Sequence, residues 1–187
     1  MMTWDDFSIG FWHPFGAHAS ESRDSILVRK AREIQDNGWT LWSFQYRRTL
    51  ELWCNLIQKH NPARVFVFCS DSPGAVDPGS QVGNCRSFRL PGMTEWSEIP
   101  PSISVRHPFG SNVNASAFRV KNVMKSSILN GAPSFSIEWY RIRDSNWRTE
   151  RLPTRGEYLI RRGGGCKIRR IYAILELENP YLVYLRR

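Results

Sequence analysis

Seventeen carboxylates, four histidines and four cysteines are the groups in this 187-residue chain that could move protons, attack an electrophile or hold a metal. Their spacing removes most of that chemistry. Cys54, Cys69, Cys85 and Cys166 stand far apart, with no Cys-x-x-Cys and no histidine at zinc-ligand spacing, so they read as free thiols in a reducing compartment and no metal site is expected. A metal-dependent nuclease would set an aspartate beside a Glu-x-Lys pair on adjacent strand ends. No Glu-x-Lys occurs, and Glu138 with Arg141 and Arg143 is a poor substitute. Cys69 ends the apolar run "VFVFC", where a nucleophile served by a histidine could sit, and this keeps an enzyme acting on nucleic acid or a nucleotide among the alternatives.

The motif "HPFG" occurs twice, at His13–Gly16 and His107–Gly110, half a chain length apart. A His before Pro is held extended and the Gly permits a tight turn. Each copy could therefore present an imidazole from a rigid loop to a base edge or a phosphate, or simply close a turn with Phe15 and Phe109 in the core. Each copy is also followed by Asn-Gly and an aromatic stretch ending in Tyr-Arg, the pattern of two related halves, 1–93 and 94–187.

Charge points to a polyanion. Lys and Arg number 26 against 17 acids, a net charge of +9, and only Lys30, Lys59, Lys121, Lys125 and Lys167 are lysines. Guanidinium groups bind phosphates bidentately and stack on rings, although a GC-rich coding sequence would also favour Arg. The densest stretch, "RRGGGCKIRR", offers Arg161, Arg162, Lys167, Arg169 and Arg170 around three glycines that could let backbone amides approach a phosphate. It lacks the Gly-Lys-Ser/Thr ending of a P-loop and reads equally as a hairpin turn. Arg141 adds a cation nearby, and eight tryptophans exceed ordinary usage.

The elements that position these groups follow from periodicity and breakers. "SESRDSILVRKAREIQDNG" reads as a helix capped by serine and closed by Gly38, with Ile26, Val28, Ala31 and Ile34 inward. "WTLWSFQ" follows as a strand. A second helix is expected over Thr49–His60, with Leu50, Trp53, Leu56 and Ile57 on one face, and then a central strand over 63–70. "DSPGAVDPGSQVG" is loop, and Pro100-Pro101 a break. Beyond it "AFRVKNVM", "SFSIEWYRIR", "GEYLIRR", "KIRRIYAILELE" and "YLVYLRR" read as strands, with a short helical turn at "KSSILNG". The fold class expected is α+β.

"VMKSSILNGAPSFSIEWYR" resembles the signature of the ASCH branch of the PUA-like superfamily, with Ile128, Leu129, Gly131, Glu138 and Arg141 at the matching positions. "RGEYLIRR" is similar to the Gly-acidic start of a later strand, through Gly156 and Glu157. Ala132-Pro133 stands where the family has Lys-Thr. Over residues 122–170 the resemblance implies a mixed β-barrel with flanking helices, of the PUA-like type that includes the EVE and YTH branches, spanning 1–187 as one domain. It also implies binding of RNA or of a modified base in an aromatic pocket. The candidates for that base pocket are Trp39, Trp42, Trp139, His13, His107 and Glu138.

Charge and resemblance together lead us to expect a non-catalytic protein that binds RNA or modified DNA, with no cofactor. A protein-interaction component of a bacterial defence or toxin system is the other alternative. The opening "MMTWDDFSIG" has neither a basic start nor an apolar stretch, and no run nears about 18 apolar residues. A cytoplasmic protein without membrane contact is expected.

Overall fold

In a computed structural model, the described residues are 7–16, 20–44, 50–71, 82–108, 115–125, 136–141, 146–153, 156–167 and 171–187. In chain order they form β1 (Ile9–Phe15), α1 (Arg23–Asn37), β2 (Thr40–Phe44), α2 (Glu51–His60), β3 (Phe66–Asp71), β4 (Val82–Asn84), β5 (Ser87–Arg89), β6 (Ser97–Glu98), β7 (Arg106–Pro108), β8 (Ala115–Lys125), β9 (Ser136–Tyr140), β10 (Tyr158–Arg162), β11 (Cys166–Lys167) and β12 (Ile171–Arg186). The described residues are mostly β with two helices, an α+β arrangement whose main sheet curls into a half-barrel.

Local chemistry explains the helices. Ser22 accepts from the Ser25 amide at 3.1 Å and caps α1, and Gly38 closes it at φ 81 with its N–H on the Ile34 carbonyl, the left-handed cap that glycine adopts without a Cβ penalty. The inward face differs from the apolar stripe expected. Ile26 and Leu27 are buried with Lys30 and Glu33, while Val28 is 62% exposed. α2 buries Leu50, Trp53 and Ile57 as its spacing requires and ends at Asn61, just before Pro62.

The sheet runs β11-β9-β10-β1-β3-β12, and β12 organises the rest. Along one edge it pairs with β3 through Ile171–Glu176 and then with β5 through Tyr184–Arg186, and along the other with β8 from Ala173 to Leu185. β2 lies outside β8, and β6 outside β5. The two strands expected over "KIRRIYAILELE" and "YLVYLRR" are thus one strand. Its register against β8 shifts between Leu177 and Leu182, around Pro180, which has no N–H to give a ladder.

Three apolar clusters fill the fold. The largest packs α1 and α2 on β1, β3, β8 and β12 through residues such as Phe11, Trp53 and Phe118. A second, on the opposite face of β1 and β3, joins Trp12, Phe66 and Phe68 to Trp139 and Tyr158. A third lies beneath β5, with Leu41, Ile99, Val105 and Val183. No helix of the described residues is long and apolar enough to cross a membrane.

Of the two HPFG copies, the described residues His13–Phe15 and His107–Pro108 lie in strands where loops were expected. His13–Phe15 continue β1, paired in parallel with Cys69–Asp71 of β3, and Phe15 is buried. The antiparallel ladder to β10 stops at Trp12, so Pro14 costs no hydrogen bond on that side. In the second copy, His107 and Pro108 belong to β7, paired with β4 in a separate two-stranded sheet. Phe109 and Gly110 lie outside the described residues. Shifting α1 by the 94 residues that separate His13 from His107 lands on 117–131, whose described part is the strand β8. Residues 1–93 and 94–187 both contribute strands to the main sheet.

Candidate nucleic-acid interface

The best-formed basic site lies where β5 meets the far end of β12. Leu90-Pro91-Gly92-Met93 turns the chain sharply, with the Met93 N–H on the Leu90 carbonyl at 3.1 Å and Gly92 at φ 79. This is a type II turn, for which Pro then Gly is the favoured pair. β6 returns antiparallel with Ser87 opposite Glu98 and Phe88 opposite Ser97. Because side chains alternate across a strand, Phe88 packs toward the third cluster while Arg89 stands on the other face beside Tyr184, its partner in β12.

There the rings and guanidinium groups interleave. The Arg89 guanidinium lies 4.6 Å from the Tyr184 ring centroid and 5.5 Å from that of Trp96, and Arg186 lies 4.5 Å from Trp96. Arg89 also donates to the Met93 carbonyl. The Tyr184 hydroxyl is fixed in turn, donating to Glu51 at 2.6 Å and accepting from the Leu50 amide at 2.8 Å. Burial, then the bond to Glu51, pushes that hydroxyl up to about 12. Burial also raises the Glu51 carboxyl, but bonds from Tyr184 and Gly92 outweigh it and hold the group below its ordinary value.

Arg86 is exposed one residue before β5, and its N–H donates to the Arg186 carbonyl at 2.9 Å. Among the described residues no carboxylate pairs with Arg86 or Arg186, whereas Arg29, Lys30, Arg64, Arg119, Lys121, Lys125, Arg148 and Arg161 all have acidic partners. A guanidinium stacked on a ring keeps its N–H fork free and loses little freedom on binding a phosphate. Glu98 stands on the same face, two strands from Arg186 across Ser87.

None of these residues stood out in the sequence. Arg86, Arg89 and Trp96 are separated by nearly a hundred residues from Arg186, and only the β5–β12 pairing joins them. The one local signal was Pro-Gly between two strand-like segments.

The residues singled out from sequence are dispersed. Arg161 donates to Glu138 at 2.6 Å and lies 4.2 Å from the Trp147 ring, so its charge is already matched. Arg162 and Lys167 are exposed on β10 and β11, Arg141 is exposed after β9, and Arg169 and Arg170 lie outside the described residues. The three glycines do not form a hairpin turn, because β10 and β11 pair with β9 from opposite sides and not with each other. Gly163–Gly165 cross the end of β9, and a Cβ on Gly164 would stand 2.5 Å from Glu138 Cγ and 2.9 Å from the Ile137 carbonyl oxygen. Gly164 thus serves close approach to β9.

The candidate base-pocket residues divide likewise. Trp42 belongs to the first cluster, Trp139 to the second, and Trp39 packs against the third. Trp139 is buried against Tyr158 and donates to the Glu150 carbonyl at 2.9 Å, and Trp39 carries Arg119 over its ring at 4.8 Å. His107 lies in β7, where the neighbouring Arg106 carbonyl accepts from the Ser43 hydroxyl of β2 at 2.9 Å, with only its backbone described. Of the family-matching positions, Ile128, Leu129 and Gly131 fall outside the described residues.

Two candidates do meet. Trp42 Nε1–H donates to His13 Nε2 at 3.3 Å, and His13 Nδ1 faces Glu157 Oε1 at 3.2 Å, the ring lying edge-on to Phe118. With Nε2 accepting, the ring proton belongs on Nδ1. Trp42→Phe would keep the packing on Phe15 but leave buried Nε2 without a donor. The expected cost is about 1–3 kcal/mol, read as a lower urea midpoint.

Cys69 is no nucleophile. It lies beside His13 across the β1–β3 ladder, fully buried, and burial drives its thiol far above the ordinary value. Burial likewise pushes the Cys54 and Cys85 thiols up to about 11, so these remain protonated near neutrality. Among the described residues no three His, Cys, Asp or Glu side chains gather as they would to hold a metal ion.

Compared with models of known protein families, with curated proteins and with solved structures, the chain matches none of them.

Proposed function

We propose that this is a non-catalytic nucleic-acid-binding protein that holds RNA or modified DNA through the arginines at the junction of β5 and β12. The half-barrel is taken as PUA-like on the strength of the Glu138, Arg141, Gly156 and Glu157 matches. The observation that carries the proposal is the exposed guanidinium of Arg186, without an acidic partner among the described residues, stacked on Trp96 beside the ring-stacked Arg89, with the exposed Arg86 held to the Arg186 backbone. A net charge of +9 would draw a polyanion to such a patch. Arg161 already serves Glu138, and β10 and β11 lie on the far side of β1 and β3 from β5.

Titration with oligonucleotides at two salt concentrations tests this. Binding should weaken steeply with salt, and the double variant Arg86→Ala, Arg186→Ala should bind more weakly with a salt slope shallower by about two. Its thermal midpoint should hardly move, because both side chains are exposed. Absence of binding at low salt, or a double variant that binds as well as the parent, would overturn the proposal.

A further inference from the structure

We infer that the β5–β12 site takes a single strand, with unpaired bases packed on Met93 and Leu52 while the phosphates engage Arg86, Arg89 and Arg186; the inference rests on the nucleic-acid reading above. Of the three large apolar side chains exposed among the described residues, two stand here: Met93 is 54% and Leu52 40% exposed. They share one corner because the Gly92 N–H donates to Glu51 Oε1 at 3.2 Å, setting the turn that carries Met93 against the first turn of α2, which carries Leu52. The Arg89 fork, bonded to the Met93 carbonyl, ties the basic row to the same corner.

The two kinds of surface need different parts of one ligand. Guanidinium groups are satisfied by any run of phosphates. Exposed Met and Leu gain only from a flat apolar face brought out of water, and a duplex keeps its base faces stacked on one another. A single strand supplies both, a charged backbone and free base faces, in the manner of sequence-tolerant single-strand binders. Glu51 and Glu98, the acids beside the patch, repel phosphates, which favours a short track along Arg86, Arg186 and Arg89 over a broad duplex rail.

Three probes of equal length, about 12 nucleotides, separate the possibilities on the whole chain: a thymidine oligomer, an abasic deoxyribose-phosphate oligomer with the same charges and no bases, and a blunt duplex. The thymidine oligomer should bind about tenfold tighter than the abasic one, and tighter than the duplex. The double variant Met93→Ser, Leu52→Ser should remove most of the thymidine advantage while leaving abasic affinity unchanged. Equal affinity for the thymidine and abasic oligomers, or tighter binding of the duplex, overturns the inference and leaves nucleic-acid binding standing. No binding of any probe removes nucleic-acid binding itself, and this inference with it.

Discussion

Replacing Glu33 with alanine should lower the stability of the folded chain by about 3–5 kcal/mol, the cost of leaving one partner of a buried ion pair alone. The Glu33 carboxylate, 3% exposed, accepts from Lys30 Nζ at 2.8 Å, Arg29 Nη1 at 2.9 Å, the Ser104 amide at 3.1 Å and the Thr40 hydroxyl. Lys30, itself buried, has among the described residues only the Ser104 carbonyl at 2.8 Å and Thr40 besides. Removing the carboxylate strands an ammonium in the interior and unties α1 from β2 and from the segment at Ser104. A urea-denaturation series gives the answer, and a loss below about 1 kcal/mol would mean that water reaches Lys30. Glu33→Gln, which keeps the shape and loses the charge, should fall between the two.

The same cluster sets a pH dependence of known sign. Burial raises the Glu33 carboxyl, but Lys30, Thr40 and Ser104 outweigh it and hold the group below its ordinary 4.5. Glu176 is lowered by its bond to Arg64 and Glu21 by its bond to Arg29, in each case against burial. A lowered folded value means that the unfolded chain binds more protons near pH 4, so this stability is present above 4.5 and lost as the solution becomes more acid. Lys30 works at the other end. Burial brings its ammonium down to about 8 from 10.5, so between these values the unfolded chain again binds more protons and the contribution of Lys30 grows with pH. Urea midpoints should fall from pH 6 to pH 3, and the Lys30 component of any change between pH 8 and 10 should vanish in Lys30→Met. Tyr184, raised to about 12, acts with the opposite sign above pH 10.

Gly10→Ala should cost about 3 kcal/mol or prevent folding, at the upper end of what added methyl groups do in packed interiors. Gly10 lies in β1 between β10 and β3. A Cβ there would fall well inside contact distance of the Phe66 carbonyl oxygen and 3.1 Å from Phe7 Cε2. A side chain could swing away, but Phe66 O belongs to the backbone of β3, which is paired on its other edge with β12. Gly38→Ala is the matched control: nothing lies within 4 Å, so only its φ of 81 resists, a cost of about 1–2 kcal/mol. If Gly10→Ala proves no worse than Gly38→Ala, β1 and β3 are not as close as described.

What could be read in the sequence divides along a physical line. Features written within a few residues were legible: the Ser22 and Gly38 caps, the α2 face of Leu50, Trp53 and Ile57, the β3 run and the Pro100-Pro101 turn, where the Ile103 N–H bonds the Pro100 carbonyl at 2.9 Å. The face of α1 was not. Lys30 and Glu33 neutralise each other inside, and pairing of that kind leaves no trace in a hydrophobic period. The basic site was hidden for a related reason. "RRGGGCKIRR" is conspicuous because its charges are adjacent, yet adjacency says nothing of the acids that a neighbouring strand supplies, and Glu138 takes Arg161. Arg86 and Arg186 are unremarkable in sequence and meet only through a ladder. His13 and Glu157 were singled out for separate reasons, and the sheet brings them face to face.

The position of β12 also orders events during synthesis. Before residues 171–186 have left the ribosome, β3 has one open edge, β8 has only β2, and β5 has only β6. Open edges of this kind invite pairing with other chains, and contacts closed over so many residues form slowly. One strand then closes all three edges and delivers Arg186 to Trp96 in the same step. The stacked cluster of Arg186, Trp96 and Arg89 is therefore absent from a nascent chain until its core is shut, and its presence reports on completed folding.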